Sequence, residues 1–315
     1  MYKSTLTIIS CIILYYTISL TLSFFTYHVL SSKQYNFRFP LFITSMQNLI
    51  HFLMATLVTL IITKKPPPLT LTLPNITTYL TTTIPCAFTA SLDIGISSYS
   101  LRIVSLAFYT MVKSSAPVFV LLSGFVFGVE EPSIKTFLTI FTIGSGIFLT
   151  TLTNTSFDKY GFFLISFASF MAGFRWAFVQ FLIEKKKLQK NNILNTIRDL
   201  CLPICLLLLS LSLIFEGYTN IFTSEFFNTP NAIKKNVMVI LGSGVLSFCL
   251  LCSEFLLVSY TSVVFLSVSG IFKELVIVFY SVCRKEVTMS RINYGGLFVS
   301  MVGMLMYNYC RKRQP

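Results

Sequence analysis

The chain is a succession of apolar runs, near 5–30, 40–63, 76–98, 103–127, 135–153, 160–183, 200–215, 237–258, 262–282 and 293–310, joined by short polar segments. Runs of about 20 residues match the hydrocarbon thickness of a bilayer. Inside lipid each backbone N–H and C=O has to be satisfied within its own segment, which leaves the helix as the form for such runs. Composition closes the soluble alternative. With 54% hydrophobic and 11% charged residues and a mean hydropathy of +0.77, the chain lacks the charge to cover a water-facing surface. The expected fold is an all-α integral membrane protein of ten transmembrane helices. The first run is too long for a signal-peptide core and has no small-residue cleavage pattern, so it is read as retained.

A net charge of +13 invites a nucleic-acid partner. The basic residues, however, lie at the ends of the apolar runs and not along one soluble face, which excludes that class. Ten spans place both termini on one side. Lys64, Lys65, the Lys185 to Lys190 loop and the Arg311-Lys312-Arg313 tail fall on that side, so the excess of positive charge assigns it to the cytosol. All eight cysteines lie in or at the edge of apolar runs. Cys249 and Cys252 form a CxxC without a second pair or a histidine cluster, so they read as packing thiols, with no metal and no cofactor implied. Enzymatic machinery is missing too: there is no Walker loop, no HExxH and no nucleophile with a partnered histidine.

The polar residues inside the spans repeat. Asp93 is followed by Tyr99, Ser100 and a lone cation, Lys113; about 160 residues later Glu254 is followed by Tyr260, Thr261 and the lone Lys273. Each lysine is followed by an acidic group where its apolar run ends, Glu130 and Glu131 in one case and Glu286 in the other. The loop from Lys185 to Lys190 divides five spans from five. An odd number of spans per half turns the second copy upside down, so the expected organisation is two inverted five-helix repeats, 1–158 and 159–315, in one membrane domain.

Details along the chain bear on what the halves do. Pro40 suits the first turn of a helix. Gln47 and His51 lie one turn apart on it and face neighbouring helices or a substrate. Tyr109 precedes Lys113 by one turn and Pro117 follows by one turn; lacking an N–H, Pro117 leaves the Lys113 carbonyl unbonded, as either the hinge of a moving helix or a plain kink. Gly144 and Gly146 allow close helix contact, and the last span is glycine-rich in the same way. Arg175 and Gln180 sit in an otherwise apolar run beside Trp176. Ser269 and Gly270 open space one turn from Lys273, whereas Glu274 lies about 100° round the helix from it. The sequons at Asn75 and Asn154 are expected to stay unmodified, one on the cytosolic side and one against the membrane.

A lysine at a bilayer centre costs roughly 2.5–3.5 kcal/mol on insertion scales. Ion pairs with Asp93 and Glu254 would offset that cost. A water-filled cavity whose cations bind a phosphorylated anion would offset it as well, and would also account for the matched positions.

The segments SLDIGISSYS, FYTMVKSSAPVF, GFRWAFVQ, FEG at Phe215 to Gly217, SEFLLVSYTS and SGIFKEL jointly resemble the nucleotide-sugar transporter/triose-phosphate translocator family of the drug/metabolite transporter superfamily. Within it they look most like solute carrier family 35, in the branch related to GDP-fucose transporters. The resemblance covers residues 39 to 308. It implies ten helices in two inverted repeats, alternating access, and exchange of a nucleotide sugar for a nucleoside monophosphate across a Golgi or endoplasmic reticulum membrane, with a homodimer as a compatible assembly. By position, Lys113 and Lys273 match the family's cavity lysines and would bind the phosphates, with Tyr109, Thr110, Ser114, Ser269 and Arg175 beside them. Asp93, Glu254, Tyr99, Tyr260 and Gln180 would serve as gating or charge partners, and Pro117 as a hinge. Triose-phosphate exchangers follow the second lysine with arginine; Glu274 here favours a nucleotide sugar. Tyr27-His28 and Gln47 also depart from the family pattern, at the end of the first helix and after the PLF segment. Two other readings stand beside this one: a transporter of another phosphorylated metabolite such as a sugar phosphate, and a non-transporting scaffold that modulates glycosylation.

Overall fold

The computed structural model describes residues 2–30, 39–63, 79–113, 115–128, 133–152, 158–188, 193–261 and 291–311, and also 263, 265–266, 269–270, 273, 276 and 279–280. Ser114, Glu130, Glu131, Glu274, Glu286, the Pro66 to Pro68 connector and both sequons lie outside the described residues. Those described form helices and turns, with no strand among them. In chain order the helices are α1 Tyr2–Leu30, α2 Pro40–Thr63, α3 Ile84–Ile103, α4 Leu106–Lys113, α5 Ala116–Val126, α6 Ile134–Leu152, α7 Lys159–Leu188, α8 Ile193–Ser212, α9 Tyr218–Phe222, α10 Pro230–Tyr260 and α11 Arg291–Arg311. A π-helical turn, Tyr79–Thr83, leads into α3, and a second, Leu213–Gly217, joins α8 to α9. Between α10 and α11 the described residues from Val263 to Tyr280 are helical. Among the described residues five stretches are long and apolar enough to cross a membrane: Ser10–Val29, Pro40–Ile62, Lys159–Leu182, Leu194–Phe222 and Pro230–Tyr260.

The patterning of α2 is the reverse of a soluble helix. Thr44, Asn48, His51, Ala55 and Thr59, spaced three or four apart, form its buried face, while Leu53, Leu57, Leu60 and Ile61 are exposed. Lipid is as apolar as leucine, so no hydrophobic drive pulls those leucines inward, and small or polar side chains make the helix contacts. Hydroxyls in the spans spend their hydrogens on carbonyls one turn back, as Thr44 does on Pro40, Thr59 on Ala55 and Ser169 on Ile165.

The chain forms two compact units, each drawn from two separate stretches. The first comprises Met1–Arg102 and Phe178–Tyr260, the second Ile103–Ala177 and Thr261–Pro315. In the first unit α2 packs along α8 and against α10, and α1 lies on α10. Val29, Phe39, Phe42, Ile43, Ile221 and Ile240 make a buried cluster there. In the second unit the dominant pairing is α6 with α11. The expected close approach through the fifth-span glycines falls on one of the two. A Cβ at Gly146 would come within 2.5 Å of the Ser300 backbone nitrogen and 2.7 Å of the Gly296 carbonyl oxygen. At Gly144 it would meet only a Val118 methyl at 3.4 Å.

Candidate functional site

The run expected as one helix over 103–127 is two. The first, α4, stops at Lys113, and α5 begins at Ala116 with Pro117 in its first turn. Local chemistry makes the break. The Ser115 N–H and its Oγ both donate to the Val112 carbonyl, at 3.1 and 2.8 Å, and the Val118 N–H donates to the Ser115 carbonyl at 3.0 Å. Pro117 has no N–H to extend the α4 ladder, and in the first turn of α5 it needs none. Lys113 is half-buried in the last described turn of α4, toward the carbonyl end where the helix dipole favours a cation.

The other candidates of the second unit surround different stretches of it. Tyr109 packs against Phe108, Val112 and Ile165, which ties α4 to the first half of α7. Thr110 is buried. On α7 the Arg175 guanidinium carbon lies 4.5 Å from the centroid of the neighbouring Trp176 ring, a cation–π contact that keeps the charge solvated by the ring face. Lys273 and Ser269 are half-buried on helical backbone. The Ser269 hydroxyl donates to the Leu266 carbonyl at 2.9 Å. Ser114 lies outside the described residues.

The gating and charge candidates belong to the first unit. Asp93 is 2% exposed on α3, and the Ser97 hydroxyl donates to its Oδ1 at 3.4 Å. Ser91, Ser98 and Ser100 are buried on the same helix. Gln180 is buried on α7, Glu254 is half-buried on α10, and Tyr99 and Tyr260 are exposed. The candidate cations Lys113, Arg175 and Lys273 thus lie in one unit and the candidate acids Asp93 and Glu254 in the other.

Sequence reasoning noted FEG as a family segment without giving Glu216 a role. Its carboxylate accepts the Leu41 N–H at 2.8 Å, the Phe42 N–H at 3.0 Å and the Ser212 hydroxyl at 2.7 Å. It therefore caps the first turn of α2 from about 175 residues away, satisfying two donors that a helix start leaves open. Gly217, at φ 81°, lets the chain turn out of the π-helical segment directly after the carboxylate. The available signal was Pro40-Leu41-Phe42, a helix start with no Ser, Thr, Asp or Asn immediately before it. His51 bridges α2 to α10 through Nε2 and the Ser247 hydroxyl at 2.7 Å, which bears out its reading as a side chain facing a neighbouring helix. Arg198 is buried on α8 and lies 2.9 Å from the Asp199 carboxylate. Among the described residues no group of histidine, cysteine and carboxylate side chains could hold a metal.

The comparisons with known proteins agree with one another. A protein of Arabidopsis thaliana, provisionally named a sugar phosphate/phosphate translocator, is 29% identical over 303 residues, covering 95% of this chain and 72% of that one. A Saccharomyces cerevisiae protein, provisionally named a nucleotide-sugar transporter, is 27% identical over 297 residues, covering 73% of this chain and 67% of its own. A crystal structure of a protein 13% identical to the chain superposes with a TM-score of 0.60 over 100% of this chain and 99% of that one, a likeness of fold alone. The family model described as the Triose-phosphate Transporter family matches residues 6–308, and the chain belongs to that family.

Proposed function

We propose that the protein is an antiporter that carries a nucleotide sugar across a Golgi or endoplasmic reticulum membrane by alternating access and returns the nucleoside monophosphate. In this reading ten spans form two inverted five-helix halves, 1–158 and 159–315, with both termini in the cytosol and a homodimer as a compatible assembly. The observation that carries it is the pair of lone lysines, Lys113 and Lys273, at matching positions of the two sequence halves in a chain of this family. Phosphate recognition needs cations with neighbouring hydroxyls and water access. Lys113 and Lys273 bind the phosphates, aided by Tyr109, Thr110, Ser114, Ser269 and Arg175. Asp93, Glu254, Tyr99, Tyr260 and Gln180 balance charge in the states between which the carrier moves, and the interruption at Pro117 supplies the hinge. A substrate that contacts both halves couples its own binding to the open side, because it can shift the equilibrium only by its differential affinity for the two states.

The second reading, exchange of a sugar phosphate, draws support from the printed name of the Arabidopsis relative. Counterflow uptake by purified protein in liposomes tests both. A nucleotide-sugar antiporter takes up labelled nucleotide sugar against internal nucleoside monophosphate, and external nucleoside monophosphate competes. If only sugar phosphates and inorganic phosphate exchange, the second reading holds. If neither class moves, transport by this chain is refuted.

A further inference from the structure

Beside the N-terminal end of α2 the first unit holds a cavity of about 760 Å³, within the range of about 300–1,000 Å³ typical of small-molecule sites. None of the cations assigned to phosphate lines it. Its own lining mixes one guanidinium, Arg102, with two carboxylates, Glu216 and Glu225, an amide, hydroxyls and aromatic rings.

The hydrogen-bond accounting of the described lining leans toward acceptors. Thr223 spends its hydroxyl hydrogen on the Thr219 carbonyl and Ser224 on the Ile221 carbonyl, both at 2.6 Å, so each presents lone pairs to the cavity. Asn220 donates through Nδ2 to the Glu216 carbonyl at 3.1 Å, and its Oδ1 is an acceptor. Glu216 has one N–H on Oε1, which keeps a second acceptor position there. Glu225 is exposed and, when ionised, accepts only. Among the described lining residues these acceptors outnumber the donors, which are the Arg102 guanidinium, the Tyr99 hydroxyl and the remaining Asn220 N–H, and two carboxylates stand against one guanidinium. A phosphate brings further acceptors and further negative charge, so it is the wrong complement. A polyhydroxylated ring brings a donor hydrogen on every hydroxyl, and its C–H faces suit the rings of Phe215 and Phe226, which also line the cavity.

We infer that this cavity is a binding site for a neutral polyhydroxylated ring, a free or glycosidic hexose, separate from the side chains assigned to phosphate and independent of that assignment. Hydroxyl-radical footprinting of the unmodified full-length chain, in nanodiscs of phosphatidylcholine, tests it with methyl hexosides, inorganic phosphate and spermidine as probes. Methyl hexosides are expected to protect Tyr99, Phe215 and Phe226 saturably, and inorganic phosphate is not. The protection persists in the Lys113→Ala, Lys273→Ala double variant. It weakens at least about tenfold in half-saturating concentration in Asn220→Ala and in Glu225→Gln, since each removes an acceptor from a bound hydroxyl. The inference is overturned if no hexoside protects these rings. Protection by spermidine or phosphate in place of hexosides overturns it too, since the first would make the surplus acceptors a cation site. Protection lost with the lysines but kept in Asn220→Ala would move the sugar to the phosphate-binding residues and end the proposal.

Discussion

Among the described residues the two units show helix contacts of two kinds. In the first unit, directed polar contacts reach between segments: Glu216 onto the start of α2, His51 onto Ser247 of α10, and Asn236 Nδ2 onto the carbonyl of Phe226, in the turn before α10, at 2.8 Å. The second unit brings backbones together at glycine. Gly146 faces Gly296 and Ser300, Gly303 faces Ile143, and a Cβ at Gly173 would come within 2.6 Å of the Phe119 carbonyl group. Among the described hydroxyls of that unit, Ser123 bonds to Phe119, Thr139 to Lys135 and Ser145 to Thr142, each within its own helix. The first arrangement fixes helix ends through specific side chains, and losing one costs an unpaired donor. The second fixes helix faces through shape, and there an added atom does the harm. The cations assigned to the substrate, Lys113, Arg175 and Lys273, belong to the second unit.

The largest expected effect tests that assignment. Truncating one member of a desolvated charge pair costs about 2–5 kcal/mol, so Lys113→Ala and Lys273→Ala should each lower counterflow uptake about 30-fold or more. Their unliganded melting temperatures should stay near that of the parent, because removing an in-span cation also removes its insertion cost. Uptake within threefold of the parent for either variant would detach that lysine from the substrate.

Next comes the packing of α6 on α11. An atom forced against backbone cannot be relieved by a side-chain rotation, so Gly146→Ala should destabilise by about 1–3 kcal/mol. Gly144→Ala, whose new methyl meets only a valine side chain at an ordinary distance, should leave the melting temperature unchanged. Equal melting temperatures for the two variants would show that the backbones are not in contact at Gly146. Glu216→Ala should follow in size. It strips two N–H groups of α2 of their acceptor, at about 1–3 kcal/mol, and Glu216→Gln, which keeps a side-chain oxygen, should recover part of that loss.

Much of this architecture was legible because lipid imposes a simple rule on span length and content. The run at 40–63 and α2 have the same bounds, and the tenth run lies within α11. Local competition is where the reading departed from the structure. The fourth run reads as continuous by hydropathy, yet Ser115 and Pro117 divide it, one by offering its hydroxyl and N–H to Val112 and the other by offering no N–H at all. Helix α8 starts at Ile193, earlier than its apolar run, because Arg198 and Asp199 neutralise one another and can be carried inside. Glu216 was out of reach for a different reason. A cap supplied from 174 and 175 residues away leaves no trace in the residues around Pro40 except the missing local cap itself. The cavity beside it depends on that same distant contact.

The smallest effect is the one that discriminates most finely between the two ways of packing. The His51 to Ser247 bond is 2.7 Å long and lies within the part-buried contact of α2 with α10. In membrane proteins such side-chain bonds couple by only about 0.6 kcal/mol on average, because the separated helices find other partners. A double-mutant cycle of His51→Ala and Ser247→Ala, read by reversible unfolding in mixed micelles, should therefore return a coupling of about 0.5–1 kcal/mol. A cycle of Gly146→Ala with Ser300→Ala should return none of that sign, since the contact at Gly146 is to the Ser300 backbone, which the second substitution leaves in place. If the histidine cycle gives zero coupling, the first unit is also held by shape, and the contrast between the two units reduces to the Glu216 cap.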